Sequence, residues 1–129
     1  MRVRLLLAVL ALGVAAAADA ASPVAVTGRY SATLGSLRPP SLDGAWTVQF
    51  TARGTYSLIT NGAVVASGVY AVLATTLTVH DTSGPLHCTS IWAGRYRLTR
   101  ASTTLRIAPI SDQCGSRARI LGHTFRKLP

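Results

Sequence analysis

The residues with the types and spacing for chemistry are few. His80-Asp81 with His87 is the one cluster that could support acid–base work or hold a metal. In an extended chain adjacent residues point to opposite faces, so 80 and 81 cannot converge unaided, and the cluster reads as solvated turn polarity. Asp81 and Asp112 could form a carboxylate pair only if two turns met, and aspartate's turn chemistry explains each separately. No Gly-x-Ser-x-Gly elbow, phosphate loop or zinc signature is present. These residues point to no enzyme, cofactor, catalytic site or metal site.

Cys88 and Cys114 are the only cysteines. Their meaning depends on the compartment, which the N-terminus indicates. Residues 1–20 read as a signal peptide, with Arg2 and Arg4 ahead of an apolar run and an Ala18-Asp19-Ala20 cleavage site. The run is too short for a transmembrane anchor, so the chain is expected outside the cell or in a periplasm, not membrane-spanning once the signal is removed. In that setting the sole cysteine pair is expected to be a disulfide, contributing about 3 kcal/mol by the chain-entropy argument. Residues 21–129 fit one domain with one modest core.

Charge is lopsided. The 129-residue chain holds 13 Lys+Arg against 4 Asp+Glu. Without Arg2, Arg4 and Asp19, 11 basic residues face 3 aspartates, a net +8. Such a surface favours anionic partners such as cell-wall polymers, lipid headgroups or nucleic acid by non-specific attraction, and gives no sign of specific nucleic-acid recognition.

The elements that would position these residues are strands. In Ala45 to Thr51, Trp46, Val48 and Phe50 alternate with Thr47, Gln49 and Thr51, the period of a half-buried strand. Asn61-Gly62 is the strongest hairpin signal. A three-residue loop with a bulge near Gly62 would set Tyr56 opposite Gly68. Residues 64–73 and 76–80 form the next hairpin, with Val72 opposite Leu77 and Tyr70 opposite Val79. Asp81 to Gly84 suits a type I turn. Residues 88–99 read as a strand with Trp92, Tyr96 and Leu98 inward. A four-residue loop, Arg100 to Thr103, sets Leu98 opposite Leu105 and Tyr96 opposite Ile107. The same register places Arg97 opposite Arg106 outside, with Arg95 and Arg100 nearby, as a basic patch for a polyanion. Residues 117–126 read as the last strand, and no stretch shows a helical period.

Gly-x-Tyr recurs at 28–30, 54–56, 68–70 and 94–96. Glycine two residues before tyrosine shares its face and leaves space for a large neighbour or a sharp bend. Short strands joined by tight hairpins predict an all-β fold, a small antiparallel up-and-down barrel of about eight strands with one disulfide; a sandwich is second.

Gly44-Ala-Trp46, the Gly-x-Tyr strands and Asp112-Gln-Cys-Gly-Ser-Arg117 before the closing strand resemble the lipocalin and calycin barrels, in particular small exported bacterial lipocalin-like domains. That resemblance implies a barrel-closing motif of Gly44, Trp46 and Arg117, the arginine packing over the indole. It also implies a small hydrophobic ligand in the barrel. Phe50, Tyr56, Tyr70, Trp92, Tyr96 and Phe125 would either line that ligand or fill the interior as core. With a filled barrel, the expectation becomes a secreted binding or inhibitor module that contacts a protease or an anionic envelope polymer through loops or a basic face.

Overall fold

The computed structural model describes residues 22–129, so the expected signal peptide lies outside the described residues. The strands are β1 (Gly28–Leu34), β2 (Gly44–Phe50), β3 (Thr55–Thr60), β4 (Ala63–Leu73), β5 (Thr76–Ser83), β6 (Gly94–Arg100), β7 (Thr104–Asp112) and β8 (Thr124–Lys127). They pair antiparallel in chain order and close into one eight-stranded up-and-down barrel. Closure leaves no long unpaired edge, the constraint that short amphipathic strands must meet in water.

Alternation decides the interior. Trp46, Val48 and Phe50 of β2 are buried, while Thr47 and Gln49 between them are half-exposed. Tyr30, Phe50, Tyr56 and Tyr70 form an aromatic cluster, with Phe50 and Tyr70 edge-to-face at 4.9 Å, a favoured arrangement. Tyr96, Phe125, Leu77, Leu105 and Ile107 continue the core with at most 1 % of their surface exposed. Such side chains leave no face that water touches, so the interior around them is filled.

The hairpins follow the expected faces, with local differences. Tyr56 lies opposite Gly68, and Tyr70 and Val72 face Val79 and Leu77. The Asn61-Gly62 loop has two residues rather than three, with positive φ at both, and Thr60 pairs Ala63. Parity is restored by a bulge at Leu58/Ile59, where Val65 is the extra residue, rather than at Gly62. In the β6–β7 hairpin Leu98 faces Ile107 and Tyr96 faces Pro109, a register two residues from the expected one. The loop is tighter: Ala101 N–H donates to Thr104 O at 3.0 Å, enclosing Ser102 and Thr103. Slipping by two keeps every side chain on its face, so burial does not oppose it.

The remaining differences lie at one end of the barrel, where β1, β3, β5 and β7 finish and β2, β4, β6 and β8 begin. β5 continues through Asp81 to Ser83, and the turn falls at Gly84–His87 instead. Residues 85–93 form a loop, so β6 starts at Gly94 rather than Cys88. The expected last strand is mostly a helix, α1 (Gly115–Leu121), leaving only Thr124–Lys127 as strand. Seven residues give two turns, too few for a clear period; Arg117, Ile120 and Leu121 make its buried side.

Gly68 shows how closely strands approach at a bulge. A Cβ there would sit 1.8 Å from His80 O and 2.8 Å from Asp81 Cα, both backbone. Gly68→Ala should therefore cost about 3 kcal/mol by overpacking. Gly35→Ala, with nothing within 4 Å, should be near neutral; urea unfolding of both variants measures the contrast.

Candidate functional site

The densest polar chemistry centres on Arg117, which α1 buries with 1 % of its side chain exposed. Its Nε donates to Asp112 Oδ2 and its Nη2 to Asp112 Oδ1, both at 2.8 Å, a bidentate fork. Nη2 also donates to Trp92 O at 2.8 Å. Nη1 meets Asp81 Oδ1 at 3.2 Å as an ion pair rather than an aligned hydrogen bond. Tyr96 OH donates to Asp112 Oδ2. The cysteines join in through their backbones: Cys88 N–H donates to Asp81 at 2.7 Å and Cys114 N–H to Asp112 at 2.9 Å. Cys88 and Cys114 form the disulfide. Gly94 leaves the space: a Cβ there would come within 2.5 Å of Asp112 Oδ2 and 3.0 Å of Arg117 Nε.

These contacts fix protonation. Burial would raise the Asp112 carboxyl, but the Arg117 fork, Tyr96 OH and the Cys114 amide together hold it below the usual carboxylate range. Burial, reinforced by the Asp112 carboxylate, pushes the Tyr96 phenol far above its ordinary value, so it stays a neutral donor. Burial opposes the Arg117 charge, yet Asp112 and Asp81 raise its pKa further. With every polar group turned inward, the cluster is a clamp joining β5, β6, β7, α1 and the 84–93 loop.

The sequence expectations are redistributed by this clamp. Asp81 and Asp112, read as separate turn residues, converge on one guanidinium. Arg117 does not cap Trp46, because a helix replaces the strand that would have carried it there and the aspartates engage its nitrogens. Trp46 is buried with 2 % exposed and donates its indole N–H to Leu42 O at 2.7 Å. Trp92 lies outside the core, 37 % exposed, since its loop passes over the barrel end. Tyr70 is half-buried, its OH donating to Thr51 O at 2.6 Å.

Of the arginines read as a basic patch, Arg95, Arg97 and Arg106 are exposed. Arg95 and Arg97 project outward from β6, but Arg97 faces Ala108 and Thr76 rather than Arg106. Arg106 faces Thr99 and Thr124, and Arg126 faces Thr104 and Ser31. Arginines thus lie across from uncharged residues, which removes the like-charge cost of the expected register. Arg100 leaves the patch: its Nη1 donates to Ala25 O and, at 3.2 Å, to Tyr30 OH at the opposite end of the barrel.

A cleft of about 490 Å³ opens where β1 and β8 part. Tyr30 and Ser31 pair with Lys127 and Arg126. Continuing that register would join Thr33 to Thr124, which instead line the cleft with Leu34, Trp46, His123 and Arg126. It is a side opening, not a barrel cavity. Among the described residues, no group of three His, Cys, Asp or Glu could hold a metal, and no helix is long and apolar enough to cross a membrane. Comparison with protein-family models, curated proteins and solved structures found no match.

The clamp could have been sought in the sequence. A chain with three aspartates beyond residue 21, two of them at Asp81 and at Asp112-x-Cys-x-x-Arg117, has few other candidates to neutralise a buried arginine. Arg117→Met should cost about 3–5 kcal/mol by stranding two buried carboxylates, and Arg117→Lys should restore little, because an ammonium cannot form the fork. Because the native Asp112 pKa is depressed, its stabilisation is present above the unfolded value near 4 and is lost as pH falls through the lower native value. Chemical unfolding followed between pH 6 and pH 2 should show that acid loss, and Asp112→Asn should remove its contribution.

Proposed function

We propose that the chain is an exported, lipocalin-like barrel that works by its outside, a binding module for an anionic polymer of the cell envelope. The observation that carries this reading is a filled interior beneath an outer face of uncompensated arginines. Tyr30, Phe50, Tyr56, Tyr96 and Phe125 occupy the space that a small hydrophobic ligand would need. Outside, Arg95, Arg97, Arg106, Arg126 and Arg29 are spread over β6, β7, β8 and β1 among threonines and serines. Asp81 and Asp112 are held by Arg117, so Asp43 is the one exposed aspartate among the described residues, accepting Leu37 N–H at 2.8 Å. The disulfide and the leader-like N-terminus support export into an oxidising compartment.

A field of one sign attracts polyanions over a Debye length and weakens with salt. Guanidinium forks suit phosphate and sulfate oxygens, and the interleaved hydroxyls can donate to the same groups. The test is retention on heparin or teichoic-acid resin. The triple variant Arg97→Thr, Arg106→Thr and Arg126→Thr should elute at lower salt, with the log–log salt slope flatter by about 2–3. Unchanged elution would leave the arginines as a merely solvated surface.

A further inference from the structure

The 84–93 loop carries apolar side chains where turns normally carry polar ones. Trp92 N–H donates to Thr89 O at 2.9 Å, closing a turn over Thr89-Ser90-Ile91-Trp92. Turn corners favour Gly, Pro, Asn, Asp and Ser. Here the corner holds Ile91, 80 % exposed, followed by Trp92 at 37 %, with Leu86 at 46 % on the same loop. Nor can the loop readily fold these groups inward. Leu86 N–H donates to Val65 O at 2.8 Å, the disulfide fixes Cys88, His80 Nδ1 meets Ser90 O at 3.2 Å, and Arg117 Nη2 holds Trp92 O at 2.8 Å. The buried clamp therefore presents Ile91 and Trp92 to solvent on a rigid support.

The surroundings are cationic. Arg95 follows on β6 and Arg119 lies on α1, both exposed at this end. Asp81 and Asp112 beneath the loop share Arg117, which leaves the buried cluster one negative charge against the two exposed arginines, and Asp43 is engaged by Leu37 N–H. A single protruding Ile-Trp turn offers little flat area to another folded protein. It matches a lipid interface, which needs no shape complementarity, accepts a few apolar side chains to shallow depth and favours tryptophan at headgroup level. Arginines around such a wedge gain from anionic headgroups.

We infer that the 84–93 loop docks this protein on an anionic lipid bilayer, with Ile91 and Trp92 entering the interface and Arg95 and Arg119 on the headgroups. This goes beyond the polymer-binding reading, because it rests on a different element. The two tryptophans make the test direct: Trp46 is buried and bonded to Leu42 O, so a spectral change reports Trp92. With vesicles of equal phosphatidylglycerol and phosphatidylcholine, emission should shift to the blue and acrylamide quenching should fall. Pure phosphatidylcholine vesicles should bind far less. Ile91→Ser should weaken co-sedimentation about tenfold while retention on heparin stays unchanged, since neither polymer contact nor fold depends on Ile91. Three results would overturn the inference: no binding to anionic vesicles, binding without a Trp92 shift, or equal binding by Ile91→Ser. In each case the heparin measurement reports separately on the basic face.

Discussion

A charged side chain buried in a small barrel must be matched, and Arg117 is matched by two aspartates, a carbonyl and the geometry of a disulfide. Taking a guanidinium out of water is costly, and removing one partner from such a set is costlier still. That constraint couples elements distant in sequence: Asp81 at the end of β5, Asp112 at the end of β7, and α1, which supplies Arg117. The loop between β5 and β6 is bound to the same point through Trp92 O and Cys88. One end of the barrel is therefore closed by charge and a crosslink as well as by apolar groups such as Leu42, Ile120 and Leu121.

The two halves of the chain differed in how much the sequence disclosed. Strand alternation in 44–50, the Asn-Gly turn and the pairing of Tyr70 with Val79 follow from period and turn chemistry, and the barrel follows from them. The cysteine pair was legible from its count together with the leader-like N-terminus. Registers were less so, because a shift of two residues preserves the buried face. In the β6–β7 hairpin, a tighter turn and the separation of Arg97 from Arg106 decided between registers with the same pattern. The region 84–122 was least legible: Trp92 is large and apolar yet stands outside, and α1 is too short to show a period. Its position is set by Arg117 finding Asp81 and Asp112, a three-body condition that no local pattern encodes.

Placing most carboxylates inside has an effect on the outside. Two of the three aspartates beyond residue 21 are held by one arginine, so together they offset only one positive charge among the others. The remaining arginines sit across from threonine, serine and alanine on neighbouring strands. The surface keeps its positive sign without like charges directly opposed, and no histidine is needed to maintain it. The filled barrel then serves as a stiff support for outward-facing groups, while the clamp gives the 84–93 loop the same rigidity.

The seam between β1 and β8 bears on how the barrel opens. Its ladder joins Tyr30 and Ser31 to Lys127 and Arg126, with Leu128 N–H donating to Arg29 O at 2.8 Å, and then the strands part. These partners lie at opposite ends of the domain's sequence, so joining them demands the largest loop closure in the fold and rewards it with few bonds. Neighbouring hairpins are thus expected to pair before the ends of the chain meet at this seam. With so short a ladder, amides of the terminal strands are expected to exchange with solvent through local parting, and those beside Arg117 only on wider unfolding.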